Sequence, residues 1–120
     1  MIADDSATMR AMLIAIVESM GDYQTVEASS GFDALRLLPR GHIDLILTDI
    51  NMPDINGLEL ISYLRNNPNY KDIPVFIIST EGSAKDIEKG KQLGADEYIV
   101  KPFSPVNLQQ LINQYLNKTY

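Results

Sequence analysis

The sequence predicts a doubly wound α/β sandwich, a parallel sheet covered by helices on both faces. Five short apolar runs alternate with segments whose apolar residues recur at the helical period. No repeat, low-complexity tract or run of Gly, Ser or Pro interrupts that alternation, and 120 residues are room for one domain, spanning residues 1–120. Strands separated by helices pair in parallel through right-handed crossovers, which puts helices on both sides of the sheet.

The elements follow in order. Ile2-Ala3 is the first strand, shorter than the usual five or six residues. Either that strand is unusually short or the chain begins late. Met9, Met12, Leu13, Ile16, Val17 and Met20 follow at i, i+3, i+4, i+7, i+8 and i+11, an amphipathic helix whose methionines read as core and which Gly21 ends. Thr25 to Ala28 form the second strand, after which Ser30 and Asp33 have the spacing of a capping box in its Asp form. Leu45 to Leu47 form the third strand. Leu58, Ile61 and Leu64 share a helical face before Pro68 interrupts. The fourth strand is Val75 to Ile78, followed by a second Ser-Asp pair, Ser83 and Asp86. Tyr98 to Val100 close the sheet. The last helix carries Leu108, Leu111, Ile112, Tyr115 and Leu116 on one stripe, with Ser104 as its N-cap and Pro105 at its first position.

Composition narrows the functional classes. Ten Lys plus Arg stand against 16 Asp plus Glu, a net charge of −6, and 45% of residues are apolar. That apolar content suits a globular core rather than disorder. The acidic balance argues against binding a phosphate backbone, so no nucleic-acid partner is expected. No apolar stretch approaches the roughly 20 residues of a membrane span, and the first residues carry acid rather than base, so neither a membrane span nor a signal peptide is expected. The absence of Cys excludes disulfides, thiolate metal sites and Cys nucleophiles, and fits a cytoplasmic location.

In an open parallel sheet ligands bind beyond the carboxyl ends of the strands. The first strand runs into Asp4 and Asp5, the third into Asp49, the fourth into Ser79 and Thr80, and the fifth into Lys101. Three crowded carboxylates repel unless a cation sits among them. Oxygen ligands with no His or Cys nearby point to a hard ion, Mg²⁺ foremost, which takes a few carboxylates together with a substrate phosphate. The Lys101 ammonium can pair with a carboxylate or with a phosphoryl oxygen, and the Ser79 hydroxyl can donate to another. A carboxylate nucleophile, a metal and two phosphate-orienting donors make a phosphoryl-transfer site.

Each motif alone has a blander reading. Asp4-Asp5 by itself is more often a solvated turn or helix cap, and Lys101 by itself a surface lysine. Asp49 to Gly57 has Pro53 and Asp54 where a calcium loop wants an oxygen ligand and glycine, which rejects that reading. Phosphate-binding glycine loops are absent. His42, the only histidine, precedes the third strand at the edge away from the acids and is expected to be structural or exposed.

Asp4-Asp5, Asp49 with Asn51-Met52-Pro53 and Gly57, Ser79, and Lys101-Pro102-Phe103 together resemble the signature of response-regulator receiver domains, over essentially the whole chain. The resemblance implies a flavodoxin-like, three-layer sandwich with five parallel strands in the order 2-1-3-4-5 and five helices. It implies that Asp49 is the phosphoacceptor for a histidine kinase, in a self-catalysed step of a signalling protein rather than an enzyme. Asp5 and Asp49 would ligate Mg²⁺ directly with the backbone carbonyl of Asn51, and Asp4 mainly through water. Ser79 and Lys101 would bind phosphoryl oxygens, Lys101-Pro102 would be a cis peptide, and Tyr98 would turn inward as Ser79 moves. The partner face would be the fourth helix, fifth strand and fifth helix, from Ser83 to Leu116.

The run Asp4 to Arg10 further resembles CheY-like, stand-alone chemotaxis members, which makes a chemotaxis kinase or flagellar motor switch the first partner to test. A chain ending after its fifth helix leaves no room for a DNA-binding effector. Asn51 and Glu81 match members that lose phosphate quickly, whereas Thr80 stands where many have Ala or Gly. Two rivals belong to other classes. One is a receiver-like interaction module that no longer uses phosphate, motivated by Thr80 and the short first strand. The other is a haloacid-dehalogenase-type Mg²⁺ phosphatase, which wants a second Asp where this chain has Asn51 and places its motif after the first strand.

Overall fold

A computed structural model of the chain describes residues 1–116; residues 117–120, which the expected domain includes, lie outside the described residues. Strands β1 (Ile2–Ala3), β2 (Glu27–Ala28), β3 (Ile46–Thr48), β4 (Val75–Ser79) and β5 (Glu97–Val100) alternate with helices α1 (Ala7–Glu18), α2 (Gly31–Leu37), α3 (Gly57–Arg65), α4 (Ala84–Leu93) and α5 (Pro105–Leu116). The strands form one parallel sheet in the order β2-β1-β3-β4-β5. The expected doubly wound fold, with its five strands and five helices, is the fold observed.

The layers follow from the alternation of side chains along each strand. Ala3, Ile46, Val75 and Ile77 face Ala34, Leu60, Ile61 and Leu64 of α2 and α3. Ile2, Leu47, Phe76 and Ile78 face Leu13 of α1 and Leu108 and Ile112 of α5. Both cores are apolar, so the polar side chains of the strand ends have only the sheet edges to occupy.

Short as it is, β1 is paired on both sides, Ile2 with Glu27 and Leu47, Ala3 with Ala28 and Thr48. The strand is therefore a short central strand that still joins the two halves of the sheet. Thr25 and Val26, expected in the second strand, lie ahead of β2, although the Val26 carbonyl still accepts the Ile2 N–H at 2.8 Å.

The caps match in part. Ser30 and Ser83 accept hydrogen bonds from the N–H groups of Asp33 (3.0 Å) and Asp86 (3.1 Å), but Asp33 answers to Ser29 N–H and Asp86 accepts from the Ser83 hydroxyl. The reciprocal box is instead at α3, where Asn56 and Glu59 exchange bonds of 2.9 and 3.0 Å. Ser104 caps α5 through Asn107 N–H at 3.3 Å, with Pro105 as the first helical residue. Two expectations for α1 need correction. The helix ends at Glu18, before Gly21, and Met12 is 47% exposed rather than core. Only Leu13 of that stripe is fully buried, while Met9 and Met20 pack at its margin, because α1 rests on a two-residue strand with little sheet beneath its outer turns.

Candidate phosphoacceptor site

The carboxyl ends of β1, β3, β4 and β5 meet at one edge, as the strand-end residues predict. Asp4 follows β1 and is 1% exposed, a burial that an ionised carboxylate tolerates only with partners. Its Oδ1 accepts the Ser6 N–H at 2.9 Å, and Oδ2 lies 3.4 Å from Lys101 Nζ. The Arg10 guanidinium, one turn along α1, donates to the Asp4 carbonyl at 2.6 Å and pairs with Glu27 at 3.2 Å. That clamp ties α1 and β2 to the start of the site. Asp5 is exposed beside it.

Asp49 follows β3, its N–H donating to the Ala3 carbonyl at 2.9 Å. Oδ1 accepts the Ile50 N–H at 2.7 Å, and Oδ2 lies 3.5 Å from the same Lys101 Nζ. Burial pushes the Asp49 carboxyl above the usual carboxylate range; Lys101 and the Ile50 N–H pull it back down, and Asp4 adds to the rise. Carboxylate oxygens of Asp4, Asp5 and Asp49 lie within 4.8 Å of one another, the one such acidic cluster among the described residues. With oxygen donors only, two of them sharing a single ammonium, the set fits a hard divalent cation such as Mg²⁺.

Close approach of α3 shapes the floor. A Cβ on Gly57 would lie 2.1 Å from the Asp49 carbonyl oxygen, so only glycine admits the α3 N-terminus against Asp49. Gly57 N–H also donates to the Ile50 carbonyl at 2.8 Å.

Across the edge, Ser79 is fully buried at the end of β4, and its Oγ accepts the Glu81 N–H at 3.1 Å. Lys101 N–H donates to the Ser79 carbonyl at 2.8 Å, and Lys101-Pro102 is cis, as the resemblance implies. Thr80 is exposed at the mouth. Asn51 is exposed too, its side-chain amide donating to Glu81 Oε1 at 3.2 Å. Tyr98 lies half-buried on β5, its hydroxyl donating to the Glu81 carbonyl at 2.5 Å. Burial raises the Tyr98 phenol from its ordinary value, and contact with Ser79 opposes that rise. Glu81 thus holds Ser79, Asn51 and Tyr98 through three different atoms.

The structure brings together Asp4, Asp5, Asp49 and Lys101 as one group, with Ser79, Asn51 and Tyr98 joined through Glu81. Sequence reasoning assigned no role to Arg10 and singled out Glu81 only, with Asn51, as a match to members that lose phosphate quickly. Arg10's place six residues after Asp4, on the first turn of a helix that starts at the site, was the available signal. His42 is exposed at the opposite edge, its Nε2 2.8 Å from Asp44.

Known proteins place this geometry. Residues 1–113 match the family model of the response regulator receiver domain. A chemotaxis protein CheY homolog of Campylobacter jejuni is 34% identical over 97% of this chain and 90% of its own length. Chemotaxis protein CheY-3 of Vibrio cholerae is 33% identical over 98% of this chain and 91% of its own. Among solved structures, the receiver domain of a Syntrophus aciditrophicus signal transduction histidine kinase superposes with a TM-score of 0.90 at 32% identity, covering 98% of this chain and 89% of that one. Chemotaxis response regulator CheY4 of Vibrio cholerae gives 0.87 at 32% identity, covering 96% and 95%.

Proposed function

The chain belongs to the response regulator receiver family, a signalling family of two-component systems, and on that premise we propose that it accepts a phosphoryl group from a histidine kinase onto Asp49. One observation carries the proposal. Lys101 Nζ stands between Asp4 Oδ2 at 3.4 Å and Asp49 Oδ2 at 3.5 Å, a cation already placed where a phosphoryl group on Asp49 would bring negative charge.

An Asp49 carboxylate oxygen forms the new bond to phosphorus as the phosphorus–nitrogen bond of the phosphohistidine breaks. The electron pair leaves with the imidazole nitrogen, and the product is an acyl phosphate. Asp4, Asp5, Asp49 and the Asn51 backbone carbonyl would hold Mg²⁺, which supplies charge neutralisation for the transfer. Lys101 exchanges its carboxylate partners for a phosphoryl oxygen, and Ser79 donates its hydroxyl to another.

Ser79 is tied to Glu81, and Glu81 to Tyr98, so movement of Ser79 toward the phosphoryl group disturbs the bond that sets the phenol. The result is a population shift read out on the face of α4, β5 and α5. A chemotaxis target such as the flagellar motor switch is the partner proposed for that face, with a chemotaxis kinase as donor and the cytoplasm as the setting. Among the described residues no helix is long and apolar enough to cross a membrane.

The experiment is incubation with Mg²⁺ and acetyl phosphate, read by intact mass. One added phosphoryl group on the native chain and none on Asp49→Asn is the expected result. No added group on the native chain, or an undiminished one on the variant, overturns the proposal. The acyl phosphate is short-lived in this reading, and Asn51→Ala or Glu81→Ala lengthens its lifetime; unchanged decay in both would remove that part. A module indifferent to phosphate is kept apart by one measurement, since its affinity for the motor switch would be the same with and without the phosphodonor.

A further inference from the structure

Two demands of the fold meet at Asn56-Gly57. The close approach of α3 to Asp49 requires glycine at 57, where a Cβ would lie 2.1 Å from the Asp49 carbonyl oxygen. The first turn of α3 requires a short polar side chain at 56 to accept its N–H groups. Together they produce a chemically labile pair, because glycine puts no side chain between its backbone nitrogen and the carboxamide carbon of the asparagine before it. Asn56 is the only asparagine in the sequence that glycine follows.

The folded chain commits each reacting group elsewhere. Asn56 Oδ1 accepts the Glu59 N–H at 2.9 Å, which turns the carboxamide along α3. The Gly57 N–H donates to the Ile50 carbonyl at 2.8 Å, so the attacking nitrogen is masked. Asn56 N–H donates to Glu59 Oε1 at 3.0 Å, and the Asn56 carbonyl accepts the Leu60 N–H at 2.9 Å. Gly57 is buried while Glu59 is exposed, so one half of these restraints lies at the surface and can be removed without touching the core.

We propose that Asn56 is a deamidation site that the fold keeps closed, that opening of the first turn of α3 releases it, and that its two products differ in whether α3 stays seated. In the open form the Gly57 nitrogen gives its proton to water or hydroxide and forms a bond to Asn56 Cγ. The Cγ–Nδ2 bond breaks and the nitrogen leaves as ammonia, which leaves a five-membered succinimide. Water then adds to one of the two ring carbonyl carbons. Cleavage between Cγ and the Gly57 nitrogen gives aspartate. Cleavage between the backbone carbonyl carbon and that nitrogen gives isoaspartate, whose chain runs through the former side chain. No electrons change hands, and water and ammonia balance the reaction.

The surroundings separate those products. Aspartate keeps an oxygen for the Glu59 N–H and places negative charge at the positive end of the α3 dipole. Isoaspartate adds a methylene ahead of Gly57 and turns the Asn56 carbonyl, the partner of Leu60, into a free carboxylate. Gly57 has no slack to absorb that change, with the Asp49 carbonyl against its Cα and the Ile50 carbonyl on its N–H.

The test incubates the native chain in mildly alkaline buffer, with and without urea, and follows every asparagine by peptide mapping and mass. In urea Asn56 is expected to react first. In buffer it is expected to react more than about tenfold more slowly than in urea, in proportion to the rarity of the open form. Glu59→Ala removes the surface half of the restraints and is expected to speed the reaction in buffer about fivefold, with the rate in urea unchanged. The aspartate product, and Asn56→Asp made directly, are expected to unfold at or above the native urea midpoint, and the isoaspartate product below it. Equal rates in buffer and urea, another asparagine reacting first in urea, an unchanged rate in Glu59→Ala, or an isoaspartate product as stable as the native chain would each overturn the proposal. No phosphodonor is present in these measurements, so none of their outcomes bears on phosphorylation of Asp49.

Discussion

The two ends of β1 both carry buried charge, and the fold treats them differently. At the carboxyl end, Asp4 accepts a backbone N–H, faces Lys101, and is backed by Arg10 on its own carbonyl. At the amino end, the Met1 ammonium donates to a single carbonyl, that of Leu45 at 2.7 Å. Four strands converge on the first end with polar termini. The second is surrounded mostly by apolar residues, with Asp22, Asp44, Gln24, Thr25 and His42 toward its mouth. The contrast teaches that burial is no measure of how well a charge is served. What distinguishes the carboxyl edge is the supply of oriented partners, which a low-dielectric setting makes effective.

Four perturbations test that contrast, from the largest effect down. Gly57→Ala drives a Cβ to 2.1 Å from the Asp49 carbonyl oxygen, a backbone clash with no flexible side chain to yield. It is expected to cost at least about 3 kcal/mol, measured by urea denaturation. A loss under about 1 kcal/mol would mean that the acceptor edge is far less rigid than its partners suggest.

The second perturbation is pH. The Met1 amino group has its pKa lowered from 8.0 to about 6 in the folded chain. For a base with a depressed folded pKa, the unfolded state binds the extra proton between those values. Stability therefore rises as pH climbs from 6 to 8, on the order of 2 kcal/mol, and this contribution is flat outside that window. Nα-acetylation of Met1 should abolish the slope; a slope that survives it belongs to another group.

Third, Asp49→Asn is expected to raise the denaturation midpoint in the absence of metal, because burial disfavours the native carboxylate. The gain should shrink when Mg²⁺ is added to both proteins, since only the native chain keeps the full acidic set. A lower midpoint for the variant in metal-free buffer would show that Lys101 needs the Asp49 charge more than burial disfavours it. Smallest of all, Asn51→Ala removes one exposed hydrogen bond to Glu81 and should change stability by less than about 0.5 kcal/mol. A larger loss would make the mouth of the site part of the scaffold rather than its trim.

Periodicity and strand-end chemistry made most of this architecture legible. Leu108 and Ile112 could be placed on a buried stripe because the 3.6-residue repeat needs no tertiary information. Asp4, Asp49, Ser79 and Lys101 could be placed together because every parallel strand delivers its next residue to one edge. What escaped depends on neighbours. Thr25 and Val26 look like strand residues, yet the paired ladder starts only at Glu27, because a strand exists only where both backbones exchange bonds. Met12 fits the apolar stripe of α1, but the sheet beneath that helix is too narrow to cover it. Asn56 and Glu59 hide their capping box behind Pro53 and Asp54, which read as a loop of unknown length. Glu81 becomes central only once Ser79, Asn51 and Tyr98 converge on it in space.

The brevity of β1 also sets a timescale. Two paired residues, held by a few rungs on either side, make β1 the least secured of the sheet's inner strands, and Asp4 hangs directly from them. Opening of this segment from its amino end would loosen Asp4 without unfolding α3 or β4. Amide exchange at Ile2 and Asp4 should then be faster than at Ile77. A ligand that grips Asp4 and Asp5 draws the strand closed by mass action and slows exchange there first.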